Sequence, residues 1–285
     1  REVLMRVKKE PANPTGAGLA FEDVSLLGSG GVPLLDHVSF DVRQGEILAV
    51  AGVQGNGQTE LAEVILGLRT PHSGQIRLGD ADVTRANPRD SLDAGVGFIP
   101  EDRSTDGIIA SFSIADNLVL DQFTSREFSA GGSLKLGAIA RNAREKEKEY
   151  DIRLTSVSDP ISSLSGGNQQ KVVVAREISK DLTLLVANQP TRGVDVGSIE
   201  FIHRRIVDVR DQGCAVLLIS SELDEVVALA DRIAVMYRGR LVGIVPPDTG
   251  RDVLGLMMAG VPLDEAVAAS RGSADTEDVD GEDKK

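Results

Sequence analysis

An α/β fold is predicted: a mostly parallel sheet with an antiparallel β subdomain on one side and an inserted helical subdomain. Three observations predict it. A glycine loop joins the apolar run Ile47-Leu-Ala-Val-Ala51 to the helix-like Glu60-Leu-Ala-Glu-Val-Ile-Leu66. Strand, loop and helix signals alternate there and again from about Leu182 onward, the pattern of parallel βα units. Strand signals vanish between Ser113 and Ser163, which reads as a helical insert at about 113–163.

In chain order, residues 1–18 are basic and then rich in Pro and Gly, the composition of a linker entering a domain. Leu19-Ala-Phe-Glu-Asp-Val-Ser25 and Leu34-Leu-Asp-His-Val-Ser-Phe-Asp-Val42 alternate apolar and polar residues, so they are expected as antiparallel strands around Gly28-Ser-Gly-Gly31. Beyond the glycine loop, Gly74–Gly79 reads as a strand, Pro88–Ala94 as a helix opened by proline, and Val96–Ile99 as a buried strand. Within the insert, Ile114–Leu120 and Ala138–Ile152 look helical, separated by a loop at Ser129–Ser133. The mixed charges from Arg144 to Glu149 read as a solvated helix face. Leu182–Ala187 is an apolar strand. Leu223–Ala230 is a helix, Arg232–Val235 and Arg240–Val245 are strands, and Asp252–Ala259 is a closing helix. The main domain is expected over 19–260 and an acidic, disordered tail over 261–285.

With 285 residues the chain can bury a sizeable core. Its 31 basic and 44 acidic residues give a net charge of −13, which argues against a general nucleic-acid-binding surface. The single cysteine, Cys214, borders the apolar run Ala215–Ile219 and reads as a buried thiol in a reducing compartment. No apolar run reaches the roughly 18 residues of a membrane span and no signal peptide opens the chain, so a soluble, cytoplasmic protein is expected. Arg1 stands where a methionine would open a complete reading frame, so a segment of something longer is expected. His37, His72 and His203 lack metal-ligand spacing.

Two stretches carry chemistry. Gly52-Val-Gln-Gly-Asn-Gly-Gln-Thr59 matches the phosphate-binding loop G-x-x-x-x-G-K-[ST] except that Gln58 stands where a lysine would face the phosphates. Gly52, Gly55, Asn56, Gly57, Gln58, Thr59 and Glu60 would form the cradle, with the Thr59 hydroxyl as a weak Mg²⁺ ligand. A glycine-rich turn with no ligand has the same composition. The second stretch is Leu164-Ser-Gly-Gly-Asn-Gln-Gln170, running into Lys171–Ile178. A small hydroxyl and bare N–H groups at a helix N-terminus suit an anion, though a serine cap would serve structure alone. Shortly after it comes Asn188-Gln-Pro-Thr-Arg-Gly-Val-Asp195.

With these stretches the chain resembles the nucleotide-binding domain of ABC transporters, over about residues 19–260. Leu164–Gln170, Pro100-Glu-Asp-Arg103 and Pro190–Gly197 together look like the tandem ATPases of bacterial importers for simple sugars and nucleosides. Gly-Asn-Gly-Gln in the loop tilts the resemblance toward the nucleoside branch and toward the second, C-terminal domain. The resemblance implies a P-loop NTPase core, ATP and Mg²⁺ as cofactors, and a place on the inner face of the cell membrane. It also implies as partners a catalytically competent ABC domain, permease subunits and, indirectly, a solute-binding protein, with no nucleic acid.

The family's residues carry over one at a time. The lysine corresponds to Gln58, the acidic Mg²⁺ ligand to Asn188, the glutamate that polarises water to Gln189, the Q-loop glutamine to Glu101, and the switch histidine to Ser221. An aromatic that stacks on adenine is expected near Leu27 to Ser29, and none is there. The signature Ser165, Gly166 and Gly167 and the D-loop Asp195 survive. The resemblance therefore implies a domain with no intact catalytic residue that lends its signature to the ATP of another. A regulatory module that has left transport, or a soluble ABC ATPase, are the alternatives.

Overall fold

The computed structural model describes residues 9–277, with side chains described as far as Arg271. In order, the elements are β1 Ala17–Leu27, β2 Pro33–Arg43, β3 Ile47–Ala51, α1 Gln58–Ile65, β4 Ser73–Leu78, β5 Ala81–Asp82, α2 Pro88–Asp93 and β6 Val96–Ile99. The insert follows with α3 Ile114–Asn117, β7 Ser129–Ala130, β8 Ser133–Leu134 and α4 Leu136–Glu149. The chain closes with α5 Gly166–Ile178, β9 Leu184–Asn188, α6 Val196–Asp211, β10 Ala215–Ser220, α7 Leu223–Leu229, β11 Arg232–Tyr237, β12 Arg240–Val245, α8 Arg251–Met258 and α9 Leu263–Glu277.

A six-stranded sheet, a four-stranded sheet and an insert that is helical apart from the β7-β8 hairpin give the α/β architecture expected. The larger sheet runs β12-β11-β3-β10-β9-β6 and is parallel except where β12 pairs with β11. The smaller, β2-β1-β4-β5, is antiparallel. Every residue of β3, β9 and β10 is buried. A strand presents alternate side chains to opposite faces, so both faces of the parallel sheet must be covered. Ile47, Ala49 and Ala51 join one core with α5, α6 and α8, whereas Leu48 and Val50 join the other with α1 and the antiparallel sheet.

Four expectations change. The strand β1 begins at Ala17, inside the expected linker, and Lys9 is anchored by its ammonium on the Leu229 and Ala230 carbonyls at the end of α7. Ser129–Ser133, expected as a loop, contributes to a short hairpin. The helix expected to reach Leu120 stops at Asn117, whose buried amide donates to the carbonyls of Ile109, Phe112 and Ser113. The tail expected from 261 is helical over Leu263–Glu277, because Leu263, Ala266 and Val267 pack onto the core; residues 278–285 lie outside the described residues. Among the described residues no helix is long and apolar enough to cross a membrane.

Candidate functional site

The glycine loop leaves the C-terminal end of β3, in the middle of the parallel sheet, and enters α1. Strand ends in such sheets gather ligand sites because helix N-termini and free loop N–H groups converge there. Gly57 has φ +106°, and a Cβ on it would lie 2.8 Å from Met236 Cε and 3.0 Å from the Leu34 carbonyl. A Cβ on Gly52 would lie 2.6 Å from Gln58 Nε2 and 2.7 Å from the Met236 carbonyl, so the loop closes only around glycine.

Inside that loop the Gln58 amide is held at both ends. Its Oε1 accepts the Asn56 N–H at 3.0 Å, and its Nε2 donates to the Val53 carbonyl at 3.1 Å. Asn56 is committed elsewhere as well: its side chain accepts the Arg238 N–H at 2.9 Å and its carbonyl the Gly239 N–H at 2.8 Å. Thr59 and Asn188 face one cleft of about 490 Å³, together with Phe98, Pro100, Glu101 and Arg192. Thr59 and Asn188 offer a cation only neutral oxygens, and the carboxylates lining the same cleft are Glu63, Glu101, Asp102 and Asp106. Glu101 is engaged, as an ion pair with Arg192 and as acceptor of Gln54 Nε2 at 2.7 Å. Gln189 sits in left-handed backbone at φ +48° and donates its amide to the Ser221 hydroxyl at 3.0 Å. The donor set suits phosphate held by backbone N–H groups. Gln189 and Ser221 are neutral and satisfy each other, so neither can serve as a base.

The second stretch lies at the start of α5. Ser165 occupies the cap position, yet its hydroxyl bonds no helix N–H; it accepts Asn168 Nδ2 at 3.0 Å. The first N–H groups of α5 therefore remain available at the positive end of the helix dipole. A Cβ on Gly167 would lie 2.4 Å from Asp195 Oδ2 and 2.5 Å from Ser198 Oγ, so glycine is what lets α5 and α6 meet at their N-termini. Asp195 caps α6, accepting the Ser198 N–H at 3.0 Å and the Ser198 hydroxyl at 2.8 Å. The Ser198 hydroxyl, ahead of the backbone bonds, holds the Asp195 carboxyl below the usual carboxylate range.

The structure thus gathers Gln58, Thr59, Glu101, Asn188, Gln189 and Ser221 around the loop and groups Ser165, Gly166, Gly167 and Asp195 separately. Among the described residues no hydrogen bond joins Gly52–Thr59 to Ser165–Gly167. Residues that sequence reasoning missed include Arg103, which donates to the Arg192 carbonyl at 3.1 Å and lies against Gly166, where a Cβ would be 2.5 Å from its Nη2. The motif Pro100–Arg103 was its only signal. Thr191 had only its place in the motif Pro190–Gly197, and Glu225 and His203 had none.

A family model described as "ABC transporter" matches residues 35–192. A guanosine import ATP-binding protein of Bacillus subtilis, NupO, is 41% identical over 271 residues, covering 95% of this chain and 53% of that protein. The nucleoside import ATP-binding protein NupA of Lactococcus lactis is 43% identical, covering 93% and 53%. The glucose import ATP-binding protein TsgD13 of Haloferax volcanii is 44% identical, covering 91% and 48%. The chain spans about half the length of these curated relatives. Among solved structures, MJ1267, an ATP-binding cassette of an ABC transporter, superposes with a TM-score of 0.72 at 21% identity, covering 85% of this chain and 96% of that one. The dimeric structure of MJ0796, a bacterial ABC transporter cassette, gives 0.69 at 18% identity, covering 81% and 100%. At those identities the likeness is one of fold.

Proposed function

The chain belongs to the ABC transporter family, and from that premise we propose that it is an ATP-binding domain of an importer for nucleosides or simple sugars whose own nucleotide site is silent. Its role is to complete the site of a competent partner domain. One observation carries the reading: the chain keeps a glycine-lined helix N-terminus at Ser165–Gly167 whose cap hydroxyl bonds no helix N–H, while Gln58, Gln189 and Ser221 at its own site are neutral and already hydrogen-bonded.

Phosphoryl transfer depends on positioning and on charge placed where charge develops. A lysine would set a cation on the phosphates; the Gln58 amide instead closes onto its own loop. Bound Mg²⁺ would neutralise phosphate charge, but Asn188 gives it a neutral ligand. Gln189 cannot accept a proton. Loss of one such contact costs on the order of 10²–10³ in rate, and several lost together leave no useful hydrolysis. Backbone N–H groups, Thr59 and the α1 dipole remain, so weak nucleotide binding is expected.

The signature face does the reverse. In a head-to-tail pair of cassettes, as the family resemblance implies, each nucleotide lies between one domain's loop and the other's signature. Ser165, Gly166, Gly167 and Asp195 would meet the partner's ATP, with permease subunits docking near Glu101 and the helical insert. A solute-binding protein acts through those subunits, which choose the solute; the nucleoside importers among the relatives favour that branch. The domain would work on the inner face of the membrane.

The purified chain is expected to release no phosphate from ATP in the presence of Mg²⁺, and steady release lost in Gln189→Ala would overturn the silent site. In the complete assembly, Ser165→Arg is expected to abolish hydrolysis. Unchanged turnover there would remove the proposed division of labour, and failure to copurify with a permease would favour a regulatory module.

A further inference from the structure

Consecutive residues after β9 are each held by a different element. Gln189 donates its amide to Ser221, just beyond β10, and its backbone N–H to the Ile219 carbonyl at 2.8 Å. The Pro190 carbonyl accepts Gln170 Nε2 of α5 at 2.7 Å. Thr191 donates its hydroxyl to Glu225 Oε1 of α7 at 2.7 Å, an oxygen that also meets His203 Nε2 of α6 at 2.9 Å. Arg192 pairs with Glu101, beyond β6, and its carbonyl accepts Arg103.

Fixing a residue's backbone costs roughly 1–2 kcal/mol of conformational entropy, so a loop segment is rigid only where contacts repay that cost. Here the contacts are made entirely between this chain's own groups. Two of them reach the signature face. Gln170 belongs to α5, Arg103 lies against Gly166, and Gly167 packs on Asp195 and Ser198. Positions that the family resemblance assigns to hydrolysis, Glu101, Gln189 and Ser221, are all among the contacts.

We propose that Glu101, Gln189 and Ser221 are positioning residues that brace Gln189–Arg192 through this chain's own side chains, keeping Ser165–Gly167 and Asp195 preset for the partner's ATP. The proposal rests on the function proposed above. It also explains the chemistry of the substitutions. Glutamate at 101 can pair with Arg192, which a glutamine could not do as an ion. The neutral Gln189 and Ser221 hydrogen-bond each other, with no charge left unpaired.

The test is a charge exchange in the complete assembly: Glu101→Arg, Arg192→Glu and the two together. Each single change is expected to lower kcat for ATP hydrolysis about fivefold, the scale of one partly exposed ion pair, with KM for ATP within about twofold. The double exchange is expected to restore at least about half of the lost rate. Hydrogen exchange of the Gln169 and Ile199 amides, which close the first turns of α5 and α6, should quicken in each single variant without nucleotide and slow again in the double. Singles that match the unaltered protein in both readouts, or a double no better than the worse single, overturn the brace. Ser165→Arg run alongside separates the two ideas. If it is inactive while the charge series is flat, only the brace fails. If it hydrolyses normally, the function proposed above fails and the exchange pattern alone judges the brace.

Discussion

The Gln58 side chain fills both ends of its hydrogen-bonding capacity within its own loop, accepting from Asn56 and donating to Val53. A ligand phosphate would therefore have to compete for the Asn56 N–H. Gln58→Lys frees that N–H and adds a charge-assisted donor. We expect about a tenfold gain in affinity, equivalent to roughly 1.4 kcal/mol, in a titration with a fluorescent ATP analogue. Hydrolysis should stay at background, because Gln189 still lacks a base; unchanged affinity would show that the loop excludes nucleotide for another reason. Cys214 is the other residue whose behaviour follows from its surroundings. Burial pushes its thiol up to about 12, and it is the thiolate that reacts. The folded chain should resist a thiol reagent at pH 8 and react at once in denaturant.

At the scale of elements, the meeting of α5 and α6 decides how the signature face is shaped. Gly167→Ala would drive a methyl group to 2.4 Å from Asp195 Oδ2, which can retreat only by giving up its hydrogen bonds to Ser198. The expected cost is about 1–3 kcal/mol in a denaturant melt, as for overpacking elsewhere, with more than a tenfold fall in the assembly's hydrolysis. A variant as stable and active as the parent would show that the helices have room to part. The Asp195 cap adds a pH signature. Its carboxyl titrates below the usual value because of Ser198, so its contribution is present at neutral pH and is lost as acid protonates it. The insert is joined to the core in the same side-chain terms: buried Arg176 of α5 donates to the Gly107 and Asn117 carbonyls and pairs with Glu177.

Across the whole molecule, the two sheets are tied by a charge cluster at Glu46. Burial opposes its ionisation, but hydrogen bonds from Arg232 of β11 and Arg43 of β2 outweigh that and hold the carboxyl at about 2. Arg232 also pairs with Asp41 of β2. A carboxylate with a lowered pKa stabilises the fold above its unfolded value near 4.5, and the effect is lost as pH falls from there toward 2. With Arg43 half exposed to solvent, the contribution is on the order of 2 kcal/mol. Glu46→Gln should lower stability by about that much at pH 7 and converge on the parent near pH 2 in parallel acid melts. A difference that persisted in acid would place the effect in packing instead.

The sequence by itself determined the alternation of strands and helices, the glycine loop, the serine-glycine helix start and the insert. Each of these is written in local periodicity or in a residue type that its backbone demands. Beyond such local signals it was silent or misleading. The helix Leu263–Glu277 carries a composition suited to a tail, and it is held because Leu263, Ala266 and Val267 find the core. Only the tertiary structure decided that Asn56 is turned toward Arg238, that Gln189 meets Ser221 and that Glu101 meets Arg192. These pairs are far apart in the chain, and nothing in the composition of either partner marks the other. Their contact follows from the order β11-β3-β10-β9-β6, which brings the C-terminal ends of strands distant in sequence side by side.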